Sequence, residues 1–217
     1  MRVILVRHGQ TDWNESGVFR GRIDVGLNQN GFKQAELVGE ALNQVAVDAI
    51  FSSPLSRASD TAAAIAMQHD LEVRINKDFN DMNFGDWQEL TRPDVENQYP
   101  DQFQIWLTAP QKTRIPRGET LAQVRRRLLS GLASLHNLYA ESTVVIVSHG
   151  LTNKVLLCAM LGLYNEHFWK VKQDNAAINV FKYTGQSSKV FLMNDTTHLR
   201  SIGDMVEEMK EIENPIG

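Results

Sequence analysis

Short apolar runs and amphipathic helical stretches take turns along this chain. Strand-like runs lie at Arg2–Val6, Val47–Phe51, Glu72–Ile75, Thr143–Ser148, Ala177–Tyr183 and Lys189–Met193. Val3-Ile4-Leu5-Val6 and Val144-Val145-Ile146-Val147 are apolar at every position, as strands buried on both faces are. Between the runs, apolar residues recur at helical spacing. Asn28 is placed to cap a helix through Phe32, Ala35, Val38 and Leu42. Ser53 reads as an N-cap with Pro54 at the first helical position, which puts Arg57 in the opening turn. A third helix from about Thr120 aligns Leu121, Val124, Leu128, Leu132, Leu135 and Leu138 on one face, and a fourth runs from about Thr152 to Leu161. This alternation predicts right-handed βαβ units and an α/β fold of three layers, with helices on both faces of a mainly parallel sheet. The last two runs flank the turn Thr184-Gly185-Gln186-Ser187-Ser188, so one edge is expected to be an antiparallel hairpin.

Residues 78–116 break the rhythm. Pro93, Pro100, Pro110 and Pro116, with Trp87 and Trp106, leave room only for short helices near Asp94–Gln98 and Gln102–Ala109. The segment is expected to cap the strand ends within a single domain spanning 1–217. Beyond Arg200 the acidic residues Glu207, Glu208, Glu211 and Glu213 suggest at most a terminal helix.

Bulk composition narrows the partners more than the fold. With 42% hydrophobic and 22% charged residues over 217 positions, the chain reads as an ordinary globular protein. A net charge of -4 argues against nucleic-acid or anionic-membrane partners. Cys158 is the sole cysteine, so no internal disulfide or thiolate zinc cluster forms, and its apolar neighbours predict a buried, inert thiol. No apolar run approaches a membrane span. The expectation is a cytoplasmic monomer or homodimer whose partner is a small molecule.

Two motifs carry the chemistry. Arg7-His8-Gly9 ends the first run, and Ser148-His149-Gly150 ends the fourth. Open α/β sheets bind ligands at the carboxyl ends of their strands. Arginine forks and histidines gathered there suit a tetrahedral anion, and a phosphoryl group first of all. A neutral imidazole can attack phosphorus if its other ring nitrogen donates to an acceptor, most simply a backbone carbonyl of the glycine loop. Asn14 and the Gly150 amide are supporting donors, and His149 can stabilise charge in the transition state. No carboxylate cluster has metal-binding spacing, so neither a metal nor a cofactor is expected.

Taken with Gly21-Arg22-Ile23-Asp24, Ser53-Pro54-Leu55-Ser56-Arg57, Asn83-Phe84-Gly85-Asp86-Trp87, Arg117-Gly118-Glu119-Thr120 and Asn194-Asp195-Thr196-Thr197-His198, these motifs closely resemble the histidine phosphatase superfamily, the phosphoglycerate-mutase-like fold. The resemblance runs through nearly the whole chain, and its broad-specificity and α-ribazole phosphatase-like branches are the nearest in pattern. It implies a phosphohistidine on His8 and a phosphate site drawn from Arg7, Gly9, Thr11, Asn14, Arg20, Gly21, Arg57, His149 and Gly150. It also implies a proton donor at Asp81, where the family's small phosphatases usually carry Glu. Glu89 is a second departure, replacing the usual Gly. Arg20 and Arg22 either receive a second anionic group or are simply solvated. Asp24 is read as a loop organiser and Glu119 as a partner of the pocket arginines. Arg125-Arg126-Arg127 is read as a solvated helix face. His69, His136 and His167 are read as ordinary histidines, and His198 as structural. Two alternatives to a phosphomonoesterase remain. A phosphoglycerate mutase would want the Glu-Arg-His-Tyr-Gly segment that 78–116 lacks, and a non-catalytic phospho-ligand binder would need no acid.

Overall fold

The computed structural model describes residues 1–15 and 17–200. In chain order they form β1 (Arg2–Arg7), α1 (Asp12–Glu15), α2 (Gln29–Leu42), β2 (Ala49–Ser52), α3 (Ser56–Met67), β3 (Val73–Ile75), α4 (Arg92–Gln98), α5 (Pro100–Thr108), α6 (Leu121–Tyr139), β4 (Thr143–Ser148), α7 (Gly150–Met160), β5 (Ile178–Tyr183) and β6 (Ser188–Asp195), with short 3₁₀ turns between. The six strands lie in one sheet ordered β3-β2-β4-β1-β5-β6. The first four pair in parallel, β5 runs antiparallel to β1, and β6 antiparallel to β5. The expected α/β layering with an antiparallel edge is what forms.

Continuous apolar strands are needed because both faces of the sheet are covered. Val3 and Leu5 of β1, with Val144 and Ile146 of β4, pack toward α6, α7 and the capping segment. Ile4, Val6, Val145 and Val147 point the other way, onto α2 and α3. Cys158 is buried on α7, and burial pushes its thiol up. The Asn28 cap forms as expected, and Thr120 caps α6 in a reciprocal capping box with Gln123.

Three local expectations are corrected. Helix α3 starts at Ser56, with Leu55 rather than Ser53 at the N-cap and no side-chain cap bond. Ser53 instead spends its hydroxyl on Asn80 and His149, while Arg57 still falls in the first turn. Leu138 is 76% exposed, because the buried stripe of α6 passes from Leu135 to Tyr139, which packs on Phe51. Helix α7 begins at Gly150, two residues earlier than expected. The acidic terminal helix lies outside the described residues.

Candidate active site

Strand register brings the two histidine motifs together. In the parallel β1–β4 pair, Arg7 stands opposite Ser148, so His8 and His149 leave neighbouring strands side by side. The His8 amide donates to the Ser148 carbonyl at 3.0 Å. The two rings lie 5.2 Å apart. Nδ1 of His8 sits 2.6 Å from its neighbour's carbonyl, Gly9 O, and so carries the ring hydrogen. Nε2 is left as the lone-pair nitrogen of a ring that lines the cavity. Burial, then His149 and the arginines Arg57, Arg7 and Arg20, hold His8 well below the ordinary histidine range. A Cβ at position 9 would collide with the Gly31 carbonyl, so only glycine lets this loop pass under the start of α2.

Positive charge surrounds that ring. Arg7 donates from Nη1 to the Gln173 carbonyl at 2.6 Å, and its Nε is buried without a partner. Burial brings this guanidinium down to about 10, as it does Arg20; both stay charged at neutral pH. Arg57 is fully buried and donates to the carbonyls of Gly21 (2.8 Å) and Ile23 (2.9 Å) and to Asp81 Oδ2 (3.3 Å). Its Nη groups are committed to protein partners, and Nε is its unpaired donor. His149 bonds Ser53 Oγ through Nε2 at 2.8 Å and leaves Nδ1 unpartnered, 3.7 Å from Asp81 Oδ2. Both Arg57 and His149 lie beneath the cavity floor, while Arg7, His8, Asn14, Arg20, Gly21, Asp81 and Gly150 line it.

Asp81 is therefore within the site, its carboxylate between Arg57, Thr152 Oγ1 (3.3 Å) and its own loop amide at Met82 (2.9 Å). Thr11 is buried behind the lining; its hydroxyl donates to Asn14 Oδ1 and accepts from Arg20. That fixes Asn14 with its oxygen turned inward on the protein. No side chain caps α7 at His149, so the free amides of its first turn, at Gly150 and Leu151, stand beside the anion site.

Several supports escaped the sequence reading. Arg127 is not solvated. It binds the Asp78, Asn80 and Asp81 carbonyls at 2.6, 2.8 and 3.0 Å and both oxygens of Glu119, and so moulds the Asp81 loop. Arg125 reaches the Leu163 carbonyl; of the three, only Arg126 fits the solvated reading. Arg22 pairs with Glu119 at 3.2 Å and stays off the cavity wall. Glu119 thus serves Arg22 and Arg127 rather than Arg7 or Arg57. Asp24 does organise a loop, accepting from the Ser56 amide and hydroxyl at 2.8 Å. Asn175 ties the His8 and Gly9 carbonyls to Asn14. A signal existed for Gln173 and Asn175. A polar cluster just before a strand antiparallel to β1 must fall at the carboxyl end of β1.

Comparison with known proteins agrees with this geometry. Residues 3–196 match the family model for the histidine phosphatase superfamily (branch 1). The chain is 34% identical over 199 residues to phosphoserine phosphatase 1 of Hydrogenobacter thermophilus, covering 92% of this chain and 94% of that protein. Among solved structures, Bacillus stearothermophilus YhfR superposes with a TM-score of 0.88 at 26% identity, over 92% of this chain and 99% of that one. A mycobacterial glucosyl-3-phosphoglycerate phosphatase, solved with VO3, gives 0.82 at 28% identity over 90% and 99%. The chain belongs to the histidine phosphatase superfamily. It is an enzyme, a phosphatase of small phosphorylated metabolites.

Proposed function

We propose that the protein hydrolyses phosphomonoesters through a phosphohistidine on His8, with Asp81 moving the protons and no metal taking part. One observation carries this reading: Nδ1 of His8 is bound to Gly9 O, which leaves Nε2 basic beside Arg7 and Asp81 in one cavity. Nε2 attacks phosphorus in line with the ester oxygen. As the N–P bond forms and the P–O bond breaks, Asp81 gives its proton to the departing oxygen. Water then attacks phosphorus and yields a proton to Asp81, and phosphate leaves as the N–P bond breaks. Arg7, Arg20, Arg57 and His149 Nδ1 hold the equatorial oxygens, with Asn14, Gly9, Thr11, Gly21 and Gly150 shaping the loop and helix start around them.

Arginines and histidines meet the charge that divalent ions meet elsewhere. Among the described residues, no group of three or more His, Cys, Asp or Glu side chains gathers to hold a metal. Hydrolysis is favoured over mutase chemistry because the relatives above are phosphatases and 78–116 lacks the mutase segment. The reading takes 1–217 as one domain in which 78–116 caps the site. No helix among the described residues is long and apolar enough to cross a membrane. We place the enzyme in the cytoplasm, as a monomer or homodimer without nucleic-acid or membrane partners. The test is release of phosphate from p-nitrophenyl phosphate by wild type and His8→Ala, in the presence of chelator. Wild-type release that persists with chelator and vanishes in the variant is expected; no wild-type release between pH 4 and 8 would leave a non-catalytic binder.

A further inference from the structure

The cavity is much larger than a phosphoryl group. Its volume of about 390 Å³ falls within the range of small-molecule sites, and everything assigned above occupies its floor. The wall holds Phe84, Phe103 and Trp106 from the capping segment, with Phe168, Trp169 and Lys154 beside them, and Trp106 packs directly on Phe168 and Trp169. Lys154 is the unexplained member. It projects from α7 one turn beyond Gly150, and residues four apart share a helix face about 6 Å apart along the axis. Gly150 itself abuts Arg7: a Cβ there would stand 3.0 Å from Arg7 Nε. Lys154 therefore lies on the same face of α7 as the residue that abuts the phosphate-site arginine, one turn further along the helix.

Its surroundings hold the ammonium in place without neutralising it. Nζ sits 5.2 Å from the centroid of Phe168 and 5.1 Å from that of Trp169, a geometry that attracts a cation to the ring faces. Among the described residues no carboxylate lies in ion-pair range of it. Burial, then Arg7, lowers its affinity for the proton, against a smaller opposing pull from Asp174, whose carboxylate is paired with Lys172 at 2.8 Å. The other basic residue on this part of the wall, Arg92, stands 5.5 Å over the Phe103 ring. Arg22, the other candidate for a second anion, is occupied by Glu119.

We propose that Lys154 is a specificity-determining residue that receives a carboxylate on the leaving group, so that the preferred substrates are phosphate monoesters of small hydroxy acids. A single ammonium fits a monoanion; a second phosphate, with more charge and more acceptors, calls for an arginine fork. The aromatic wall takes the apolar carbons between the two anions. The inference rests on the phosphomonoesterase reading, and the experiment separates the two. Phosphate release is measured for ω-phosphooxy carboxylates with two, three and four carbons and for the n-alkyl phosphates of matching length, with wild type, Lys154→Met, Lys154→Gln and Lys154→Arg. Wild type should prefer the carboxylate in at least one length by about 10- to 100-fold in kcat/KM, the scale of one charge-assisted hydrogen bond. Lys154→Met and Lys154→Gln should collapse that preference through KM, and Lys154→Arg should restore part of it. Two neutral variants guard against one that fails to fold. Hydrolysis without preference for the carboxylate, or a preference that survives both neutral variants, overturns the role of Lys154 alone. Release from none of the esters overturns the phosphatase reading with it.

Discussion

The floor and the wall of the cavity are held by different forces. On the floor, His8 and His149 follow strands whose backbones are hydrogen-bonded in register, and their rings are fully buried. A small shift of either would break the pairing of β1 with β4. The wall has no such lattice. It is built from the short helices α4 and α5 and the turn at 165–170, joined by aromatic edges: Trp106 meets Phe84, Trp87, Phe168 and Trp169 at centroid distances of 5.4 to 6.3 Å. Chemistry that tolerates little displacement sits where the backbone is rigid. Recognition of the leaving group sits where substitution of side chains reshapes the site without disturbing the sheet.

The contrast is broken most severely at the floor. His8→Ala removes the proposed nucleophile, and kcat should fall by about 10⁴-fold or more, while the denaturant midpoint stays near wild type. An activity loss below tenfold would mean that another nucleophile acts. Asp81→Asn keeps the shape but not the proton, so kcat should drop by about 10²- to 10⁴-fold on substrates with poor leaving groups. The loss should shrink for p-nitrophenyl phosphate, whose leaving oxygen needs little protonation. Asp81→Glu should keep or raise the rate; its complete inactivity would remove Asp81 from the acid role.

At the wall, the effect should appear as stability. Trp106 is 3% exposed and touches four aromatic residues, so Trp106→Ala should cost about 3–5 kcal/mol. The measurement is urea unfolding, paired with kcat on p-nitrophenyl phosphate. A variant that loses catalysis as completely as His8→Ala while remaining folded would show that the wall and the floor are one unit.

The same contrast explains what the sequence disclosed. The apolar runs, the Asn28 cap and the strand-end histidines were legible because each depends on neighbours within a few residues. Direct pairing of β1 with β4 was not legible, since two buried parallel strands need not be neighbours and only the sheet order sets them side by side. Arg127 was misread because its partners, the Asp78, Asn80 and Asp81 carbonyls, lie 46 to 49 residues away. Local pattern could only say that it flanked a leucine stripe. Ser53 was misassigned for a similar reason, since Pro54 imitates a helix start while the hydroxyl is wanted by His149. Lys154 sat unremarked inside the fourth expected helix, and its meaning depends on Phe168 and Trp169, which pack against it from another segment.

The smallest expected effect is one of pH, and it bears on the floor. Burial first, then nearby positive charge, depresses both His8 and His149 in the folded state. In the unfolded chain a histidine takes up a proton near pH 6.5. Below that pH the unfolded state binds more protons than the folded one, so stability falls as the pH falls. The contribution is fully present above about pH 6.5 and is lost progressively as the pH drops toward the depressed folded values. Catalysis should not follow the same course, because His8 remains a neutral nucleophile over this interval while folding weakens. Urea midpoints at pH 7.5 and 5.5, for wild type and for the double variant His8→Gln with His149→Asn, test this directly. The variant should lose less stability between the two pH values than wild type does. An equal loss in both would mean that the buried rings do not set the acid sensitivity, and that the charges around them are better screened than their burial implies.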